Sequence, residues 1–150
     1  MKTDLIIQIS KVFLDANIKF ALIGSSNLKL QGMDVEPKDI DLVITERDLD
    51  KTVQLFETYN PSKRQIQKGL SSKPFWEITF FLEGIEVQIM SEAETGEYVR
   101  ILNEQHNLTK MEMNGISIPC FTLEAEAKAY ESTQREQKAK NIRKFIEAKQ

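Results

Sequence analysis

Ile23-Gly24-Ser25 and, after thirteen intervening residues, Asp39-Ile40-Asp41-Leu42 are the stretches on which the reading of this chain turns. Phe20-Ala21-Leu22-Ile23 is a short apolar run stopped by Gly24, the pattern of a buried strand. Ser25 or Ser26 is then placed to cap a short helix running through Leu28 and Leu30 toward Gly32. A strand that turns directly into a helix offers backbone N–H groups and the positive end of the helix dipole to phosphate, and glycine at the turn lets the backbone approach closely. In the second stretch, residues two apart on a strand share a face, so Asp39 and Asp41 project together while Ile40 and Leu42 point into a core. Two adjacent carboxylates raise each other's pKa unless a cation sits between them. Magnesium takes oxygen ligands, and two-ion sites clamp both the attacking and the leaving oxygen of a phosphoryl displacement. An acidic edge strand would show the same Asp-x-Asp, and it is the Gly-Ser turn upstream that gives the pair its chemical meaning.

Working outward, Leu5, Ile6, Ile9, Val12 and Phe13 fall at helical spacing, and Asn17 ends that opening helix. Met33–Lys38, with Pro37 and no periodicity, is a loop into the aspartate strand, which runs to Ile44. Thr45 is expected to cap a helix over 46–59, broken by Asn60-Pro61-Ser62. Phe75–Leu82 and Ile85–Met90 flank Glu83-Gly84 and form a hairpin. With Leu82 against Ile85, one face carries Ile78, Phe80, Val87 and Ile89, and the other Glu77, Thr79, Phe81, Glu86, Gln88 and Met90. Phe75-Trp76 is read as core, with an acceptor pocket or a dimer face as alternatives. Asn114-Gly115 sets a second hairpin, Thr109–Met113 with Ile116–Ile118, which Pro119 places at a sheet edge. From Leu123 to Gln150 the composition predicts two closely connected helices. The chain therefore reads as an α+β fold of one domain: a core over about 1–120 and C-terminal helices over about 121–150.

Composition narrows the function. With 41% hydrophobic and 29% charged residues among 150, a soluble domain with a real core is expected, and no apolar run is long enough to span a membrane. No signal peptide is read, and one cysteine, Cys120, makes the cytoplasm the default compartment. The lone histidine, His106, sits in a polar stretch, is expected to be exposed, and speaks against a histidine zinc site or a Ser-His-Asp triad. A net charge of −3 disfavours general nucleic-acid binding. Residues 134–150 hold six basic side chains against two acidic, so this tail is +4 and the rest −7. The tail is either a solvated helix face or a helix that leans a cation toward a triphosphate.

Apolar-Gly-Ser, a gap, and Asp-apolar-Asp-apolar resemble the signature of the DNA polymerase beta-like nucleotidyltransferase superfamily, and the element order over about 1–120 is similar to its minimal core. Within it the chain looks most similar to small bacterial single-domain members, including the enzymes that adenylylate lincosamides. The passage Ile116-Ser117-Ile118-Pro119-Cys120 into Leu123-Glu124-Ala125 and Lys128 is the looser part of that likeness. The resemblance implies a mixed or antiparallel sheet flanked by helices, with two magnesium ions on Asp39 and Asp41 and a nucleoside triphosphate, ATP by preference, held by Gly24 and Ser25. It implies Lys38, and Lys128 or Arg135 in the tail, as phosphate partners. The partners implied are the triphosphate and an unidentified hydroxyl acceptor such as a small molecule; a homodimer is left open. The family's third acid falls on Gln88 here, and an amide cannot act as a base. Glu86, two residues earlier on the same face, is the substitute, to deprotonate the acceptor. The alternative is a nucleotide-binding or partner protein of this fold without turnover.

Overall fold

A computed structural model describes residues 3–67 and 73–150. The opening helix α1 (Thr3–Asp15) buries Leu5, Ile6, Ile9 and Phe13 on one stripe, and the chain leaves it through Asn17 in the left-handed region at φ 59°. Strand β1 (Phe20–Ile23) runs straight into α2 (Gly24–Leu30), and β2 (Asp39–Thr45) follows the loop. Next come α3 (Leu49–Leu55), β3 (Ser62–Ile66), the hairpin β4 (Phe75–Leu82) and β5 (Ile85–Glu92), then α4 (Glu97–Leu102). A second hairpin, β6 (Leu108–Met113) and β7 (Ile116–Phe121), leads into α5 (Leu123–Ser132) and α6 (Glu136–Ala148). The seven strands form one sheet in the order β3-β4-β5-β2-β1-β7-β6. It is mixed: β2 runs parallel to β5 and β1 parallel to β7, while the remaining neighbours are antiparallel.

Both faces of the central strands are buried, which is why Leu42-Val43-Ile44 is a continuous apolar run rather than an alternation. On one face α1 packs against Phe20, Leu22, Ile40, Leu42, Ile78, Phe80, Val87 and Ile89. Phe13, Phe56 and Phe80 continue that layer ring to ring at centroid separations of 5.5 and 4.8 Å. On the other face Ala21, Ile23 and Val43 meet Tyr98, Val99 and Leu102 of α4 and Ala125 and Ala129 of α5. A third cluster joins Leu28 of α2 and Met33 to Tyr130, Ala139 and Ile142 of the C-terminal helices.

The register of the β4–β5 hairpin is the one alternation predicts, with Leu82 opposite Ile85 and Ile78 opposite Ile89, and β5 extends two residues past Met90. Three local expectations are corrected and a fourth is met in a more specific form. Helix α2 starts at Gly24 behind Ile23, with no side-chain cap, because Ser26 is buried in the helix and donates its hydroxyl to the carbonyl of Asp39, 2.7 Å away. The helix expected over 46–59 is only α3 between single 3₁₀ turns at Glu46–Asp48 and Glu57–Tyr59, since Phe56 is drawn into the aromatic layer at φ −105°. Thr45 precedes the first of these turns, yet its hydroxyl is buried and caps nothing. The second hairpin does lie at the sheet edge, but the outermost strand is β6; Pro119 sits on β7 opposite Lys110, one strand further in. Strand β3 and helix α4 were not expected from the sequence.

Among the described residues no helix is long and apolar enough to cross a membrane. His106 is exposed, beside Glu104, and Cys120 is buried as a free thiol.

Candidate active site

Antiparallel pairing sets Ile23 opposite Asp41, so the turn after β1 and the aspartates of β2 meet by register alone. Gly24 takes φ +74°, and a Cβ there would lie 2.7 Å from Oδ2 of Asp41. Glycine is required twice over, by the backbone angle and by the carboxylate against it. Parallel pairing then sets Glu86 opposite Asp39 and Gln88 opposite Asp41. Gln88 faces a cavity of about 340 Å³ that Gly24, Ser25, Asp39, Asp41, Glu77, Tyr98, Glu126, Tyr130, Arg135 and Lys138 also line.

Burial above all, then the charges of Asp39 and Glu77, pushes the Asp41 carboxyl up to about 7, while Arg135 pulls the other way. Neither aspartate forms an ion pair with a lysine or arginine among the described residues. Two like charges on one strand, one of them costly to ionise as the site stands, fit the donor chemistry of a hard divalent cation. Among the described residues no group of three or more acidic, histidine or cysteine side chains is placed to hold a metal ion.

The opposite wall is basic and aromatic. Arg135 donates to the hydroxyl of Tyr98 at 2.7 Å and lies 4.3 Å above the ring of Tyr130. The Lys138 ammonium stands 5.6 Å from that same ring. Behind the turn, Glu126 is fully buried and accepts from the Gly24 N–H and from Asn27 Nδ2 at 3.0 Å. Burial pushes its carboxyl up to about 8 against the opposing effect of those two hydrogen bonds. Asn27 and Gln31 also donate to the Phe121 carbonyl, at 2.9 and 2.8 Å, so β7 and α5 hold α2 in place.

Of the residues singled out from sequence, Gly24, Ser25, Asp39 and Asp41 are brought together on the cavity wall. Lys38 is exposed and lines an adjoining pocket with Ser25, Asp39, Tyr130 and Lys138. Glu86 is half-buried, does not line the cavity, and accepts a hydrogen bond from the Gln88 amide. Lys128 lies in a different groove, beside Glu97, Arg100 and His106, whereas Arg135 reaches the site. Phe75 lines the cavity and Trp76 packs against the α1-side core. Tyr98, Glu126 and Tyr130 carried no sequence signal of their own, Lys138 showed only as one cation of the basic tail, and Glu77 only as a member of the hairpin's polar face.

The sequence profile of the aminoglycoside-2''-adenylyltransferase family matches residues 5–144. The chain belongs to that family of nucleotidyltransferases. Its fold is shared with three solved structures. A candidate nucleotidyltransferase from Thermotoga maritima superposes at a TM-score of 0.72 with 22% identity, over 97% of this chain and 92% of that one. The lincosamide adenylyltransferase LnuA, solved with lincomycin, gives 0.60 and 15% over 95% and 98%. ANT(2'')-Ia in complex with adenylyl-2''-tobramycin gives 0.58 and 13% over 97% of each chain. No curated protein matches the chain significantly.

Proposed function

We propose that this nucleotidyltransferase moves the nucleoside monophosphate of a magnesium-bound triphosphate, ATP by preference, onto a hydroxyl of a small-molecule acceptor. The observation that carries the reading is the cavity itself, which sets Asp39 and Asp41 with the Gly24-Ser25 turn on one wall and Arg135 with Lys138 on the other. A triphosphate needs both walls, because its charge must be met by a cation on the carboxylate side and by fixed positive groups elsewhere.

Asp39 and Asp41 would hold magnesium, which neutralises phosphate charge and polarises the α-phosphate. The Ser25 hydroxyl and turn backbone orient the phosphate chain, Arg135 and Lys138 bind its outer oxygens, and Lys38 serves from the cavity's margin. Positioning and charge complementarity supply most of the rate in such transfers. The family name and the ligands of the two antibiotic enzymes favour an antibiotic-like polyhydroxyl acceptor. Cytoplasmic residence suits a reaction that draws on ATP.

Pyrophosphate release from ATP and magnesium, measured with tobramycin, lincomycin and water as acceptors, tests the reading. Asp41→Asn is expected to remove release by about a hundredfold or more while the melting temperature stays close to wild type, consistent with electrostatic contributions of that size. Undiminished release in D41N would overturn it. ATP binding without release by the wild type would instead support the partner protein without turnover that Gln88 raises.

A further inference from the structure

The residue facing Asp41 across the parallel β2–β5 pair is Gln88, whose amide cannot take a proton. Three carboxylates stand near enough to be considered in its place. Glu126 also lines the cavity, but it is fully buried and its carboxylate is taken up by the N–H of the Gly24 turn and by Asn27, so it braces the turn. Glu86 is on the strand of Gln88 but is engaged by the Gln88 amide and stays off the cavity wall. Glu77 is one strand further out on β4, opposite Met90, and it lines the cavity together with Asp39, Asp41, Gln88 and Met90.

Glu77 is also fixed. Arg64 of the exposed strand β3, its register partner, donates to Oε1 at 3.1 Å. The Glu77 side chain is 19% exposed while Arg64 is 69% exposed, so the pair points its carboxylate inward and its guanidinium outward. Oε2 makes no hydrogen bond among the described residues and is left for a ligand. The charge of Glu77 acts on Asp41 more strongly than that of Glu86, which agrees with its place on the cavity wall. Two strand spacings separate β2 from β4, about 10 Å across the sheet, which leaves room for an acceptor oxygen between a phosphate at the aspartates and a carboxylate at Glu77.

We propose that Glu77, rather than Glu86, takes the proton from the acceptor hydroxyl, the task left vacant by Gln88. The proposal rests on the nucleotidyl-transfer reading above. The acceptor oxygen forms its bond to the α-phosphorus, the bond from that phosphorus to the bridging oxygen breaks, and pyrophosphate leaves with the electron pair. The hydroxyl proton passes to Oε2 of Glu77. Arg64 is a positioning residue that orients the carboxylate.

The test compares wild type, E77Q, E77D, E86Q and D41N in pyrophosphate release from ATP and magnesium, with water, tobramycin and lincomycin as acceptors. Calorimetry on the same proteins measures affinity for the non-hydrolysable α,β-methylene analogue of ATP with magnesium. The expected result is a kcat lowered about 100-fold or more in E77Q, the scale of general-base catalysis. Analogue affinity in E77Q should stay within about twofold of wild type, the acid limb of the wild-type pH profile should vanish, and E77D should recover part of the rate. E86Q should lose much less than E77Q. Release by E77Q at the wild-type rate, or a larger loss in E86Q than in E77Q, would overturn the proposal. A wild type that binds the analogue and releases no pyrophosphate would also overturn it, whereas one that fails to bind the analogue would overturn the underlying reading of the site.

Discussion

At Gly24 a single hydrogen atom decides whether the turn and the carboxylate of Asp41 can coexist. A methyl group there would meet Oδ2 at 2.7 Å in a backbone conformation, φ +74°, that side chains resist. Gly24→Ala is expected to cost about 1–3 kcal/mol of stability, the range for backbone strain of this kind, and to lower pyrophosphate release far more than that loss of fold explains. Urea melts alongside release assays would separate the two effects. Asp41 itself makes metal-free stability depend on pH. Its folded-state value of about 7 lies above the ordinary 3.8, so between them the folded chain holds a proton that the unfolded chain has lost. This contribution is intact below about pH 4 and disappears as pH rises through about 7, with Glu126 acting in the same direction up to about 8. The magnesium proposed to sit on Asp41 would compete with the proton, so it should raise the melting temperature more at pH 8 than at pH 6, as scans with chelator and with magnesium would show.

Elements differ in how plainly they announced themselves. The β4–β5 hairpin was legible because alternation and a Glu83-Gly84 turn, both residues at positive φ, agree on one register. Strand β3 was not, because Ser62-Lys63-Arg64-Gln65-Ile66 has no apolar alternation: it is an exposed edge held by backbone pairing to β4 and by the ion pairs Lys63–Asp50 and Arg64–Glu77. Helix α4 was hidden for another reason. It has six residues, and its cap comes from outside it, with Glu92 Oε1 accepting from the N–H groups of Tyr98 and Val99 at 2.8 and 2.9 Å. Glu92→Ala is expected to cost about 1–3 kcal/mol for the N–H groups it strands, read as a lowered urea midpoint. The site divides along the same line. Asp39 and Asp41 could be read because they lie on one strand at a spacing of two, whereas Tyr98, Glu126 and Arg135 arrive from α4, α5 and the α5–α6 turn through packing that no local pattern encodes. Arg135→Met removes one of the charges proposed to meet the triphosphate, and should weaken ATP binding about 10- to 100-fold in calorimetry, as befits a charge-assisted contact worth about 1.5–3 kcal/mol.

Across the whole molecule, α6 joins stability to the site. Ile142 is 1% exposed in the cluster that contains Leu28 of α2 and Tyr130, the residue whose ring lies under Arg135 and Lys138. Arg143 clamps α6 to α5 through Glu124 and Glu131, both at 2.8 Å. The basic tail thus splits: Arg143 ties helices together, while Arg135 and Lys138 face the cavity. Ile142→Ala should cost about 2–5 kcal/mol and, because α6 carries Lys138 and begins directly after Arg135, should weaken the proposed ATP binding in the fraction that stays folded.

The bonds by which Asn27 anchors α2, just behind the Gly24 turn, run to Phe121 and Glu126, across sequence separations of 94 and 99 residues. During synthesis, then, a ribosome delivers both aspartates long before it delivers the groups that shape the turn beside them. A stalled or truncated product carries the acidic strand without the residues that brace the helix beside it, and those arrive only once translation has run past the start of the C-terminal helices.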